Sequence, residues 1–362
     1  MRKMVLIMLV LAMVSSMVFA AGGRQRADDG NIRIALLIRN LEETFLMSYA
    51  DNIRRLAAER GVELSVQDGR RDAATQITQL EMLLNQGFRH FVIIPNDSAL
   101  SDQMNRMIHE RGGAAAYSNI QPTASSLRIG PHFFLASSPE LVAGRIQADL
   151  IANFFDRNPD RAPGRVLNMI VINGEMGHPA QRYRRAGLLE GLRARGYTVN
   201  IVAEGSSPHW SSDHALELMN AYIAAFRGQF NVVAAQNDAM ALGAAQALIQ
   251  NGMVTADAAI GTRLAVPVLG IDATADAIAS MRRNELYATV LQDAVGQATV
   301  AFDLMYQVAR GTFRPGNPAG GISPATAIID EAPANDPAII GQCYLVPFTA
   351  VDRNSDFFRN HP

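Results

Sequence analysis

The chain has 362 residues, of which 49% are apolar and 18% charged, and its formal charge at pH 7 is −2. This composition indicates one large or two medium globular domains, and it lacks the basic character of a nucleic-acid-binding protein. The single cysteine, Cys343, excludes an internal disulfide or a cysteine metal cluster, and the single lysine, Lys3, excludes Schiff-base chemistry and a phosphate-loop lysine in an exported form.

The first segment, MRKMVLIMLVLAMVSSMVFA, has the pattern of a secretory signal peptide: a basic start, an apolar run and small residues at its end. We expect residues 1–20 to be removed by cleavage after Ala20. A retained membrane anchor is the alternative, but the apolar run is short for a span. No cysteine lies near the cleavage site, so we predict an exported protein that is not a lipoprotein. Cleavage removes Arg2 and Lys3 and leaves 30 basic and 34 acidic residues.

From Ile32 onward, short β-rich runs alternate with longer helical runs, which predicts a parallel sheet covered by helices. The first series predicts strands at 32–38, 62–67 and 90–95, and helices at 45–61, 73–87 and 98–112. Gly61 suits a helix C-cap. The strands are apolar without strict alternation, as expected when helices cover both faces of the sheet.

A second series of the same kind follows. It predicts strands at 165–172, 198–204, 230–236 and 266–272, and helices at 181–196, 215–228, 239–252 and 275–284. A further helix is predicted at 294–311, and residues 255–265 have the composition of a surface insertion. Two such series predict an α/β fold of two doubly wound parallel-sheet lobes. Periodicity alone does not assign the helix at 294–311 or the tail segment CYLVPFTAVD to either lobe.

Common catalytic fingerprints are absent from the sequence: there is no G-x-G, no G-x-S-x-G and no H-E-x-x-H. The segment HWSSDH holds His209, Asp213 and His214, but this spacing fits no common metal site. We therefore expect no metal and no cofactor.

Polar side chains follow nearly every predicted strand. In open α/β sheets, ligands bind in the crevice beyond the carboxyl ends of the strands. Amides and carboxylates can bind the hydroxyl rim of a sugar, and aromatic rings can cover its apolar faces. Singly, each residue also has a structural interpretation as a helix cap, a core aromatic or a solvated charge. The set comprises Glu43, Phe45, Asn119, Glu175, His178, Arg184, Trp210, Asn237, Asp238, Asp272, Gln292 and Asp293.

Five segments carry a resemblance over most of the chain: NGEMGHPAQRYRR, QNDAMALGAAQAL, VPVLGIDA, TVLQDAVGQATVAFDL and VPFTAVD. In order and spacing they resemble the periplasmic galactose/glucose-binding proteins, which are class I sugar-binding proteins of ABC transporters. The resemblance implies a monosaccharide bound between two lobes, with Phe45 and Trp210 stacking on the ring and Glu43 as an acid beside it. It places the hydroxyl-binding positions on Asn119, His178, Arg184, Asn237, Asp272 and Gln292. Within QNDAMALG, it gives a sugar contact to Asn237 and none to Gln236, and we expect Asp238 to cap the helix.

The resemblance also implies how the lobes are built. The chain would cross between them near Ala136–Ser138, Gln292–Asp293 and Pro347–Ala350, which form a three-segment hinge. The N-terminal lobe would comprise residues 31–136 and 293–346, and the C-terminal lobe residues 137–292 and 347–362. The implied partners are a monosaccharide, most favourably D-glucose or D-galactose, an ABC permease and a chemoreceptor, for a monomeric protein in the periplasm.

Three positions depart from the pattern of the family. Ala180 replaces an acid that contacts the anomeric hydroxyl, Gln292 replaces an asparagine, and Glu43 replaces an aspartate. Each of the last two moves a polar group by about one methylene, which can change the preferred epimer. The calcium loop of the family corresponds poorly to DRNPDRAPGRVLN: Asp160 is kept, but too few oxygen ligands follow it for a tight site.

Two other function classes remain as alternatives. A secreted glycoside hydrolase could use Glu43 and Asp272 as its carboxylate pair. A sugar-responsive repressor shares the two-lobed fold, but the first lobe begins at Ile32, directly behind the predicted signal peptide, which leaves no room for a DNA-binding domain.

Overall fold

The computed structural model describes residues 31–255, 261–329 and 331–361. The predicted signal peptide at 1–20 and part of the predicted insertion lie outside these ranges. No helix within them is both long and apolar enough to cross a membrane.

A six-stranded parallel sheet forms the first half of the molecule, with strand order β11-β5-β4-β3-β1-β2. Its strands are β1 (Arg33–Ile38), β2 (Glu63–Asp68), β3 (His90–Ile94), β4 (Ala114–Tyr117), β5 (Phe133–Ser137) and β11 (Cys343–Leu345). The helices of this half are α1 (Thr44–Arg60), α2 (Ala73–Asn85), α3 (Leu100–Glu110), α4 (Ala124–Leu127) and α10 (Ala294–Ala309). One apolar core lies on each face of the sheet, and α10 packs in the core that contains Ile34 and Leu36.

A second parallel sheet has the order β7-β6-β8-β9. Its strands are β6 (Val166–Asn173), β7 (Thr198–Ser206), β8 (Val232–Ala235) and β9 (Val268–Leu269). Single parallel bridges join Leu269 to Ala288 and Asp272 to Leu291, at the two ends of β10 (Thr289–Leu291). The strand β10 pairs antiparallel with β12 (Thr349–Val351). The helices here are α5 (Glu140–Arg157), α6 (Pro179–Ala194), α7 (Ser212–Phe226), α8 (Asp238–Gln250), α9 (Ala275–Arg282) and α11 (Asp356–Asn360).

The chain passes from one sheet to the other three times: between β5 and α5, between β10 and α10, and between β11 and β12. The predicted α/β fold with parallel sheets is therefore confirmed, and Gly61 is the αL C-cap of α1 as predicted. Several features were not predicted. The strand β5 and the helices α4, α5 and α11 were missing from both predicted series, and the tail segment CYLVPFTAVD divides into two strands that join different sheets.

Candidate ligand-binding site

One small cavity between the two sheets brings all nine predicted site residues together. Its volume is about 30 Å³. A second cavity of about 200 Å³ shares five of its lining residues and leads outward past His209 and Asp276. The inner cavity is lined by Glu43, Phe45, Asn119, His178, Arg184, Trp210, Asn237, Asp272 and Gln292, together with Arg39 and Ala180.

The carboxyl ends of the strands supply most of this lining, because parallel strands present their ends at the same edge of a sheet. From the first sheet, Arg39 directly follows β1 and Asn119 follows β4. From the second, Asn237 follows β8 and Asp272 follows β9. Gln292 directly follows β10, at the second passage between the sheets.

Arg184 of α6 is buried and forms the centre of a polar network. Its Nε donates to Glu140 Oε2 at 2.6 Å, its Nη1 to the Gln236 carbonyl at 2.6 Å and its Nη2 to Gln292 Oε1 at 2.9 Å. Gln292 Nε2 in turn donates to Glu140 Oε1 at 3.3 Å. Burial raises the pKa of Glu140, and the Arg184 charge opposes that shift. Arg184 therefore does not lie on a solvated helix face, which was its structural interpretation.

Close packing of α5 against α6 brings Glu140 and Arg184 together. A Cβ on Gly144 would lie 2.1 Å from the Arg184 carbonyl oxygen, and a Cβ on Gly187 would lie 2.1 Å from the Leu141 carbonyl oxygen. Only glycine fits at these two positions, since any side chain would force the helices apart. Glu140 was missed by sequence reasoning because α5 was not predicted.

Asp272 presents an acceptor to the cavity from a strained backbone. Its φ is 129°, in the region that favours glycine, and Ala273 follows with a φ of 57°. Within the described residues its carboxylate accepts no hydrogen bond, and Arg184 Nη1 lies 3.8 Å from its Oδ1. Burial raises the pKa of Asp272 well above its usual value, against the lowering effect of Arg184.

His178 and Trp210 form one wall of the cavity. His178 is the N-cap of α6, and its Nδ1 accepts from the Ala180 backbone N–H at 3.1 Å. Burial and the charges of Arg39 and Arg184 hold the pKa of His178 well below its usual value, so its neutral ring carries the proton on Nε2. The two rings meet edge to face at 5.2 Å, and a Cβ on Gly174 would lie 2.2 Å from the indole.

Glu43 and Arg39 line the same cavity from the first half of the molecule. Glu43 Oε1 accepts from Arg39, from Asn40 Nδ2 at 2.9 Å and from Arg71 Nη1 at 3.0 Å. Arg39 Nη1 also reaches Glu175 Oε2 at 3.2 Å, an ion pair that joins the two halves of the molecule. Arg39 was missed, although its place directly after β1 is the same signal that identified the other residues.

In the segment QNDAMALG, the helix cap lies one residue before its predicted position. Asn237 is the N-cap of α8 and accepts from the Met240 backbone N–H at 2.9 Å. Asp238 is not the cap. It is buried and accepts from the Thr274 backbone N–H at 2.8 Å and from Thr289 Oγ1 at 2.6 Å, and burial raises its pKa to about 6.

Two nearby residues, Gln236 and Asp272, do not cap a helix either. Gln236 is a buried structural amide that donates to Asn173 Oδ1 and to the Gln181 carbonyl, both at 2.8 Å. Thr274, rather than Asp272, caps α9. Asn237 Nδ2 donates to the Trp210 carbonyl at 3.5 Å, which leaves one amide N–H for the cavity, and Asp272 leaves its carboxylate.

The segment that corresponds poorly to the calcium loop of the family includes two short 3₁₀ turns, Pro159–Arg161 and Pro163–Arg165. Among the described residues, no group of three or more histidine, cysteine, aspartate or glutamate side chains could hold a metal ion. His214 of the HWSSDH segment lies 3.6 Å from Glu217, and His209 faces the outer cavity.

Comparison with known proteins assigns the chain to a family. The model of the periplasmic binding protein domain matches residues 34–312. The chain belongs to the periplasmic binding protein family. Its members capture solutes for ABC transporters, so the protein is not an enzyme, and the glycoside hydrolase hypothesis for Glu43 and Asp272 is not supported.

Two relatives and two solved structures illustrate what the chain is similar to. A protein of Rhizobium meliloti, provisionally named rhizopine-binding, is 29% identical over 69% of this chain and 75% of its own length. The D-galactose/methyl-galactoside binding periplasmic protein of Haemophilus influenzae is 24% identical over 83% of this chain and 89% of its own. A solute-binding protein of Bacillus halodurans with bound myo-inositol has a TM-score of 0.70 at 22% identity, covering 90% of this chain and 96% of that one. One of Actinobacillus succinogenes with bound D-allose has a TM-score of 0.72 at 20% identity, covering 91% and 100%.

Proposed function

We propose that the protein is an exported receptor that captures a monosaccharide between two hinged lobes and delivers it to an ABC permease, with D-glucose and D-galactose as the first ligands to test. The observation that carries the proposal is the convergence on one cavity of Phe45, Trp210 and the Asp272 carboxylate, which accepts no hydrogen bond within the described residues. Aromatic faces suit the C–H faces of a sugar ring, and the carboxylate suits its hydroxyls.

The free polar groups of the cavity match a rim of hydroxyls. The neutral His178 ring and the Asn237 amide supply donors, and Arg184 keeps two N–H groups that its three hydrogen bonds do not use. Asp272 and Glu43 Oε2 supply acceptors. A hydroxyl both donates and accepts, so such a mixture binds a polyol better than it binds an ion of either charge.

Capture would require the lobes to move. The inner cavity of about 30 Å³ has room for about two water molecules, so a ring can contact all of its lining at once only if the two halves separate. We assign residues 31–136 and 293–346 to one lobe, residues 137–292 and 347–362 to the other, and the three passages between the sheets to the hinge. The Arg39–Glu175 ion pair would then close across the bound ring.

A cyclitol is the second candidate ligand, because Ala180 leaves no acid at the position that would contact an anomeric hydroxyl. The Rhizobium meliloti relative is provisionally named for rhizopine binding, and one structural neighbour holds myo-inositol. Titration with myo-inositol and with the sugars separates the two candidates. Methyl glycosides test the anomeric contact, because a protein without that contact binds a sugar and its methyl glycoside with similar affinity. A permease and a chemoreceptor complete the proposed partners for a monomeric periplasmic protein.

The test uses the chain from residue 21 onward and its only tryptophan, Trp210. D-Glucose, D-galactose, D-ribose, D-xylose, two methyl glycosides and myo-inositol are titrated by emission and by calorimetry. We expect at least one ring to bind one to one with a change in emission, since Trp210 lines the cavity. The proposal fails if no ring alters the emission, the heat signal or the melting temperature.

A further inference from the structure

Arg184 contacts the chain at or directly beside each of its three passages between the sheets. Glu140, at the start of α5, follows the first passage and accepts from Arg184 Nε at 2.6 Å. Gln292 lies at the second and accepts from Arg184 Nη2 at 2.9 Å. Phe348 lies in the third, between β11 and β12, and its ring centroid is 5.9 Å from the guanidinium carbon. One buried side chain therefore connects the three segments whose rotation would open the lobes.

The same guanidinium also faces the ligand cavity. Its Nη1 lies 3.8 Å from Asp272 Oδ1, and its carbon is 5.6 Å from the Trp210 ring. Glu140 itself does not line the cavity and is fully buried. Its carboxylate fixes the plane of the guanidinium, because it accepts from Nε while Gln292 bridges from Nη2 back to the second carboxylate oxygen.

We propose that Glu140 is a positioning residue, which holds Arg184 between the ligand and the three hinge passages so that ligand contact and lobe closure depend on the same ion pair. The inference rests on the proposed function, since it assigns a second role within that site. Glu140 touches no ligand and acts through Arg184 and the charge that it adds beside Asp272.

The charges that face Asp272 come from four elements. They are Arg184 on α6, Asp238 on α8, Glu140 on α5 and Glu43 beside α1; the arginine lowers the pKa of Asp272, and the three acids raise it. Glu331 accepts from the Leu141 backbone N–H at 2.9 Å, and burial and the neighbouring Glu140 charge raise its pKa. Removal of the Glu140 charge should therefore lower the pKa of Asp272.

The experiment compares E140Q with E190Q, a matched control on the exposed Arg145–Glu190 pair of the same two helices. Emission of Trp210 is recorded against pH without ligand, and the transition that D272N abolishes is assigned to Asp272. We expect E140Q to move this transition to lower pH and E190Q to leave it in place. An unmoved transition in a folded E140Q protein overturns the inference, whether or not any ring binds.

Affinity provides the second measurement. For a ring that the wild-type protein binds, we expect E140Q to weaken binding about tenfold, as for the loss of one charged hydrogen bond, and E190Q to have no effect. Unchanged affinity in E140Q overturns the positioning role. If E140Q does not fold, E140D takes its place, because its shorter side chain keeps the charge but moves the carboxylate away from Arg184. We expect E140D to leave the pH of the Asp272 transition unchanged and to weaken binding. Unchanged affinity in E140D contradicts the inference. If the wild-type protein binds no ring, the proposed function fails, and the ligand-free transition still decides the role of Glu140.

Discussion

Replacement of Arg184 by methionine should destabilise the protein strongly, because it leaves Glu140 without its partner in the interior. The two side chains are 3% and 0% exposed and meet at 2.6 Å. Loss of one partner of a buried ion pair costs about 3–5 kcal/mol. At about 1.4 °C per kcal/mol for a chain of this length, the melting temperature of R184M should fall by about 4–7 °C.

The double variant E140L/R184M tests the cause of this loss. Removal of both charges leaves no uncompensated ion, so the double variant should recover at least half of the lost free energy of unfolding. Urea unfolding followed by circular dichroism measures all three proteins. If R184M costs less than about 1 kcal/mol, or if E140L adds a second loss to it, Arg184 and Glu140 do not form the buried pair described here.

Three further predictions concern the site. N237D keeps the helix cap but replaces the amide donor, so stability should stay within about 0.5 kcal/mol while ring affinity falls by calorimetry; an equal affinity would make Asn237 only a cap. Affinity for the ligand should weaken as pH falls through the raised pKa of Asp272, because protonation removes its acceptor. D272N should bind weakly, with an affinity that does not change between pH 4 and pH 8. If the affinity of D272N depends on pH as that of the wild type does, the titrating group is not Asp272. Burial raises the pKa of Glu331 to about 7, above its value in the unfolded chain. Its contribution to stability is therefore complete below the unfolded pKa, and the melting temperature should fall as pH rises through about 7. E331Q should reduce this dependence of the melting temperature on pH, and an unchanged dependence would contradict the prediction.

The sequence was most informative where one rule governs many residues. Strand ends of a parallel sheet meet at one edge, so a survey of these positions located the lining, and the resemblance selected among them. Arg39 fitted the same rule and was overlooked. The cap of α8 was misplaced by one residue because Asn237 and Asp238 are both good caps, and only the backbone geometry distinguishes them.

Other features depend on packing between distant segments. Glu140 meets Arg184 across 44 residues because Gly144 and Gly187 let two helices touch. Asp272, with a φ of 129°, also forms the bridge that joins its loop to β10. The antiparallel β12 pairs with a strand about 60 residues earlier in the chain. None of these contacts leaves a local pattern, so periodicity could not reveal them.

A crystal structure of the protein saturated with the ring of highest affinity tests the central claim most directly. The account predicts one ring between Phe45 and Trp210, with hydroxyls hydrogen-bonded to the Asp272 carboxylate and the Asn237 amide, and with the Arg39–Glu175 pair closed across it. A ring bound elsewhere, or one in this cavity without contact to Asp272 or Arg184, would contradict the account.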